Sequence, residues 1–310
     1  MQVTNKKTQG KSSLVERILK YKDIYLLLLP TLLFYLIFCY VPMFGTVIAF
    51  QDYKITKGIL GSDFVGLQNF VDFLSNYKFW QLLRNTLTIN LWGLVFTFPA
   101  PIIMALMLNE VKNLRFKKSV QTITYLPHFI SIVVISSLVL DFVASDGLIN
   151  SIRTMFGAEP ISFMTKSNYF VPIYIISDIW QRVGWDSIIY IAALSSIDVQ
   201  LYEAASIDGA SRWSQLWHIT IPGIMGTIMI LLIMRIGQML SVGYEKIMLL
   251  YNPSIYETAD VISTYVYRQG LLEADYSYST AVGLFNSVFN FILLMSANSA
   301  SKKLTGSGLW

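Results

Sequence analysis

Charge is what this sequence has least of. Asp, Glu, Lys and Arg make up 14% of the 310 residues, against about 25% in a soluble domain. A soluble fold of this length buries a large core but still needs a charged surface, and that surface is missing. Cysteine is nearly absent as well. Cys39 stands alone, so no disulfide closes within the chain, and its apolar surroundings make it a small buried hydrophobe. His128 and His218 are the two histidines; neither has a companion at ligand spacing, which argues against a metal site. Walker A, G-x-S-x-G and H-E-x-x-H patterns do not occur. The chain is therefore expected not to be an enzyme and to bind no cofactor, so any ATP is hydrolysed elsewhere. The lysines form no stripe interleaved with aromatics, which sets nucleic acid aside.

Apolar residues, by contrast, make up 54% of the chain, and they come in runs long enough for lipid to be the solvent. A span takes about 20 such residues. Six stretches qualify, at about 24–50, 82–108, 119–143, 170–194, 221–242 and 280–299. Pro99 and Pro101 predict a kink in the second. The first follows a basic stretch, but it is too long for a signal-peptide core and lacks a small-residue cleavage site, so it reads as a retained span. The expected architecture is all-α and integral to the membrane: a basic tail at 1–23, a transmembrane domain at 24–301 and a short tail at 302–310. With six spans the termini share a side. Lys6, Lys7, Lys11, Arg17, Lys20 and Lys22, with the Lys112–Lys118 loop, dominate a count of 13 Lys and Arg on that side against 7 on the other. The positive-inside rule places both termini in the cytoplasm.

The cytoplasmic segment 195–222 between the fourth and fifth spans has its own design. Asp198 is a good N-cap, and the following residues to Asp208 read as a short helix carrying Tyr202, Glu203, Ala204 and Ala205. Gly209 supplies the left-handed stop. Residues 210–220 read as a second amphipathic helix with Trp213, Leu216 and Trp217 on one face, and Pro222 opens the fifth span. Two small helices joined by a sharp turn, with alanines that admit a close neighbour, suit docking of a cytoplasmic partner.

Glu203-Ala204-Ala205, Gly209 three residues on, and Ile219-Thr220-Ile221-Pro222 after nine more closely resemble the EAA loop of bacterial ATP-binding-cassette importer permeases. Ile221 replaces the usual leucine, a conservative departure. The resemblance implies a coupling helix in which Glu203, Ala204, Ala205, Asp208 and Gly209 contact an ATPase subunit or make the turn. It also implies four partners: a second homologous permease, two ATPase subunits that hold the ATP and Mg, an extracytoplasmic solute-binding protein, and the substrate. Asp208-Gly209-Ala210 after the Glu-Ala-Ala, the Leu114–Ser131 stretch, and Leu29-Pro30, Tyr40-Val41-Pro42 and Asn69-Phe70 are similar to the carbohydrate branch. They imply import of an oligo- or polysaccharide across a bacterial cell membrane. Amino-acid or peptide import is the alternative within the family.

Polar groups inside the spans are the remaining clue, because charge in hydrocarbon turns toward a bundle interior or cavity. Asp178, Arg182 and Asp186 share one face of the fourth span. Trp180, Gln181 and Trp185 flank them, Arg235 sits in the fifth span, and Asn286 and Asn290 share a face of the sixth. Planar polar groups and aromatic rings suit sugars, which makes Trp180, Gln181, Trp185, Arg235, Asn286 and Asn290 candidates for the substrate pathway. The same residues also suit a structural role, with Asp178–Arg182–Asp186 as an ion-pair ladder and the asparagines cross-linking helices. Two other classes remain open: a membrane-embedded enzyme built on the 178–186 cluster, and an ion-driven transporter, for which the expected internal repeat is absent.

Overall fold

The computed structural model describes residues 20–306 and 308–310. The first nineteen residues, which hold Lys6, Lys7, Lys11 and Arg17, lie outside it. The long elements are α1 (Lys22–Phe50), α2 (Gln68–Ser75), α3 (Phe79–Glu110), α4 (Leu114–Tyr125), α5 (Ile132–Val143), α6 (Leu148–Met155), α7 (Ser167–Ser195), α8 (Val199–Ile207), α9 (Arg212–Ile236), α10 (Tyr244–Leu250), α11 (Ile262–Tyr267) and α12 (Tyr276–Thr305). One hairpin, β1 (Gln51–Asp52) with β2 (Asp63–Phe64), pairs antiparallel. At its exposed tip the Lys57 ammonium, 2.9 Å away, holds the Asp63 carboxyl below its usual range.

Among the described residues, five helices are long and apolar enough to cross a membrane. The fourth predicted span, α7, qualifies only together with α8, across a 67° bend. Its polar residues lower its hydropathy, and they are also what gives the helix its interest. The third predicted span is corrected. Instead of one helix over 119–143, α4 ends in a short 3-10 turn at Leu126–Phe129 containing Pro127, Ile130 is extended, and Ser131 caps α5 through the Val133 N–H. The fifth is corrected at both ends. Helix runs unbroken from Arg212 to Ile236 and stops at Gly237, where a side chain would strike Leu294. The second amphipathic helix is therefore the first turns of α9 and not a separate element.

The predicted kink at Pro99 takes a specific form. A π-turn occupies Gly93–Thr97, and the Phe98 N–H donates to the Gly93 carbonyl five residues back. The same device precedes Pro42, where Val41 donates to Leu36, and Pro222, where Ile221 donates to Leu216. A proline ring clashes with the carbonyl four residues earlier and brings no N–H of its own. Widening the preceding turn by one residue relieves the clash without breaking the helix.

Three clusters make up the core. One joins Ile89, Ile135, Val139, Phe170 and Tyr174 with Ile247, Leu250, Ile255 and Val261. The second joins Phe73, Phe79 and Leu82 with Leu240, Ile262, Tyr265, Tyr278 and Val282. The third, Ala105, Tyr190, Leu194 and Ile224, holds the other end of the bundle. Residues 243–279, read from sequence as an outer loop, thus supply much of the core. The helix α4 lies hard against α7 at Gly184, where any Cβ would collide with the Thr124 carbonyl. The stretch from Lys22 to Phe44, by contrast, is exposed throughout, which corrects the burial expected of Cys39, and α1 joins the bundle only near Ala49, which is fully buried.

The folded-in segment is braced by an internal ion pair and fastened to α3 by hydrogen bonds. Arg268 Nη2 lies 2.6 Å from Asp260 Oδ2, and Asn85 Nδ2 donates to the Glu257 and Asp260 carbonyls at 2.9 Å. Stranding one member of a buried pair costs about 3 kcal/mol. Asp260→Ala is accordingly expected to lower the melting temperature of the detergent-solubilised protein, measured by intrinsic fluorescence. Asp63→Ala, at the exposed hairpin pair, is expected to leave it unchanged.

Candidate functional site

A cavity of about 510 Å³ opens between α3, α7, α9 and the 241–246 segment. The helix α7 turns its polar face toward it. Asp178 and Lys246 are both buried, and Lys246 Nζ lies 3.5 Å from Asp178 Oδ1. The same ammonium sits 3.5 Å from the Tyr174 carbonyl and 4.8 Å from the Tyr174 ring centroid. Arg182 pairs one turn on with Asp186 at 3.8 Å. The ladder predicted from sequence is therefore corrected at its first rung: Asp178 pairs with Lys246 from across the bundle, and Arg182 with Asp186 only.

The predicted pathway residues scatter. Gln181 and Arg235 line the cavity. Arg235 stands between it and a smaller hollow holding Asp186 and Tyr190, and a side chain at Gly93 would meet its Nη2. No carboxylate among the described residues lies within ion-pair distance of Arg235. Trp185 stacks flat on His128, centroids 4.5 Å apart at 2°, and it is His128 that faces the cavity. Trp180 faces away, into an apolar groove with Leu138 and Phe142. Asn290 is engaged in structure: its Oδ1 accepts from the Leu240 N–H and its Nδ2 donates to Ser241 Oγ, each at 2.9 Å, holding the chain where α9 has ended. Asn286 lines a different hollow. Lys246, Glu245 and Tyr244, which also line the cavity, were missed by sequence reading. The available signal was a lysine immediately before the apolar run Ile247–Leu250, an unusual place for a solvated charge.

At the opposite end, the Asp198 side chain accepts from the Gln200 N–H and caps α8. Gly209 takes φ +73°, and the Ala210 N–H returns to the Ala205 carbonyl at 2.9 Å. Side chains then tie α8 to the start of α9: Tyr202 to Thr220 at 3.0 Å and Gln215 to Ser206 at 3.1 Å. Val199, Leu201 and Ile207 are exposed apolar groups, Ile207 at 87%. Glu203 is exposed too, and it makes no ion pair or hydrogen bond among the described residues.

Comparison with known proteins matches residues 97–305 to a family model described as the binding-protein-dependent transport system inner membrane component. The chain is 45% identical over 305 residues to the polygalacturonan/rhamnogalacturonan transport system permease protein YteP of Bacillus subtilis, covering 98% of this chain and 95% of that protein. Among solved structures it resembles a chain of a bacterial alginate ABC transporter in complex with an alginate pentasaccharide-bound periplasmic protein, at 44% identity, TM-score 0.88, covering 96% of this chain and 99% of that one. It also resembles a chain of a bacterial ABC transporter involved in import of the acidic polysaccharide alginate, at 44% identity, TM-score 0.87, covering 94% and 99%.

The Asp178–Lys246 pair yields a stability prediction. Lys246→Met strands a buried carboxylate and is expected to cost about 3 kcal/mol. Adding Asp178→Asn removes the stranded charge, so the double variant should lose less than the sum of the single losses. Thermal unfolding of all four proteins in the same detergent reads the coupling.

Proposed function

This chain belongs to the binding-protein-dependent transport system inner membrane component family, and on that premise we propose that it is the saccharide-translocating permease subunit of an ATP-driven importer. The family is a transport component, so neither the enzyme nor the ion-driven alternative is pursued. Permeases named for polygalacturonan and for alginate favour glycans over amino acids or peptides as cargo.

In this reading, residues 195–222 are the coupling loop. Glu203, Ala204 and Ala205 meet an ATPase subunit, with Asp208 and Gly209 shaping the turn. The observation that carries it is an exposed short helix, unpartnered at Glu203 and laced at its other edge to a helix that reaches Arg235. The complex holds two ATPase subunits, which bind ATP and Mg, and one of them docks there. A solute-binding protein delivers cargo at the other end, and the tails at 1–23 and 302–310 are cytoplasmic. A second homologous permease completes the pathway. The exposed first helix supports that partner, since every residue of Lys22–Phe44 is exposed among the described residues. The cargo path is the charged cavity, lined by Gln181 and Arg235, with Trp185 backing the cavity-lining His128, while Trp180, Asn286 and Asn290 lie outside it. A guanidinium without an ionic partner is matched to a carboxylate through two parallel hydrogen bonds, which suits acidic glycans.

Glu203→Lys tests the coupling. With the transporter reconstituted in liposomes, glycan uptake is expected to fall at least about tenfold, a change of about 1.4 kcal/mol, while the complex still assembles. Uptake at the wild-type rate would count against the coupling role.

A further inference from the structure

A second hollow, of about 470 Å³, lies beside the charged cavity and shares Tyr244 with it. It is set between the 262–272 segment and the first three turns of α12, at the end of the bundle remote from residues 195–222. Its chemistry differs from that of its neighbour: no Asp, Glu, Lys or Arg lines it. The polar lining includes Tyr244, Tyr267, Tyr276, Ser279, Thr280 and Asn286, with Ser263, whose hydroxyl donates to the Val242 carbonyl. The Tyr244 and Tyr267 rings are stacked, centroids 5.6 Å apart at 21°. Ser279 Oγ donates to the Asp275 carbonyl at 2.7 Å and Thr280 Oγ1 to the Tyr276 carbonyl at 2.6 Å, so what both hydroxyls still offer a ligand is acceptor lone pairs. Asn286 Oδ1 is buried out of reach of solvent, while Nδ2 makes no hydrogen bond among the described residues, so the N–H groups are what Asn286 offers to the hollow it lines.

The glycines give the hollow its shape. At Gly270 a Cβ would strike Ser279 Oγ at 2.7 Å, so the absence of a side chain lets the 268–272 turn close on α12. At Gly283, which also lines the hollow, a Cβ would meet nothing within 4 Å. The space there is open.

We propose that this hollow is a saccharide subsite separate from the charged cavity, receiving the uncharged face of one sugar ring. The C–H face of the ring lies against the tyrosines, a ring hydroxyl oxygen accepts from Asn286 Nδ2, and other hydroxyls donate to Ser279 and Thr280. Through Tyr244 the ring adjoins the charged cavity, so a glycan chain spans both compartments, with neutral contacts in one and ionic contacts in the other. The inference rests on the chain being a saccharide permease.

The test uses the whole transporter in liposomes with its solute-binding protein, and a panel of labelled pentasaccharides that includes alginate. Gly283→Leu fills the hollow from a helical position with room for it, and Asn286→Leu removes the donor. For a glycan that the wild type imports, each is expected to raise the half-saturating concentration about tenfold or more. Wild-type half-saturation in both variants overturns the subsite and leaves the permease reading standing. Failure of the wild type to import any member of the panel overturns both. A labelling experiment guards against misfolding of the variants. Asn286→Cys in a Cys39→Ser background, within the assembled complex, is expected to react with a small thiol reagent and to be protected by the imported glycan. Reaction that the glycan does not slow, or no reaction even without glycan because a partner helix fills the space, overturns the proposal.

Discussion

Hydrocarbon offers neither water nor counter-ions, so each charge and each freed backbone group inside it must find its partner within the protein. Asp178 meets that demand by reaching across to Lys246, and Asp260 meets it with Arg268. Lys246 comes from residues 243–279, so its pairing with Asp178 of α7 ties that segment to the bundle, while the Asp260–Arg268 pair braces the segment internally and Asn85 of α3 grips its carbonyls. Once there, its apolar residues Ile247, Leu250, Ile255, Ile262 and Tyr265 complete two of the three core clusters. The charged cavity is the space beside the Asp178–Lys246 pair, so one electrostatic contact serves both the fold and the site.

Backbone groups are handled by a different device with the same logic. Pro42, Pro99 and Pro222 each follow a π-turn that widens the helix and keeps it continuous. At Pro222 the consequence is mechanical. The helix α9 runs unbroken from Arg212, beside the turn at Gly209, to Arg235 at the cavity wall, a rise of roughly 35 Å at 1.5 Å per residue. A displacement at the loop has a rigid route to the cavity. Side-chain ties from Tyr202 and Gln215 fasten α8 to the root of that helix.

How much of this was legible in the sequence depended on how local the cause was. The long apolar runs announced the spans, and Asp198 and Gly209 announced both ends of α8, because caps and left-handed turns are decided within a few residues. The break at Ile130 was not foreseen, since apolar content continues on both sides of Pro127 and hydropathy does not register a proline's geometry. Counting Lys246 and Arg268 as loop cations missed their partners, which lie 68 and 8 positions away. Residue type alone does not distinguish a solvated lysine from one buried against a carboxylate. Gln181 and Arg235 reach the cavity, whereas Trp180, one position from Gln181, faces outward, as the 100° step of a helix dictates.

The measurement that bears most directly on the account is purification of the tagged chain from native membranes in mild detergent, with ATP hydrolysis assayed in the eluate. A panel of oligosaccharides with their binding proteins is added in turn. The account predicts that an ATPase and a second permease co-purify, and that one glycan with its binding protein accelerates hydrolysis. A chain that purifies alone, with no ATP hydrolysis under any of these additions, would contradict it.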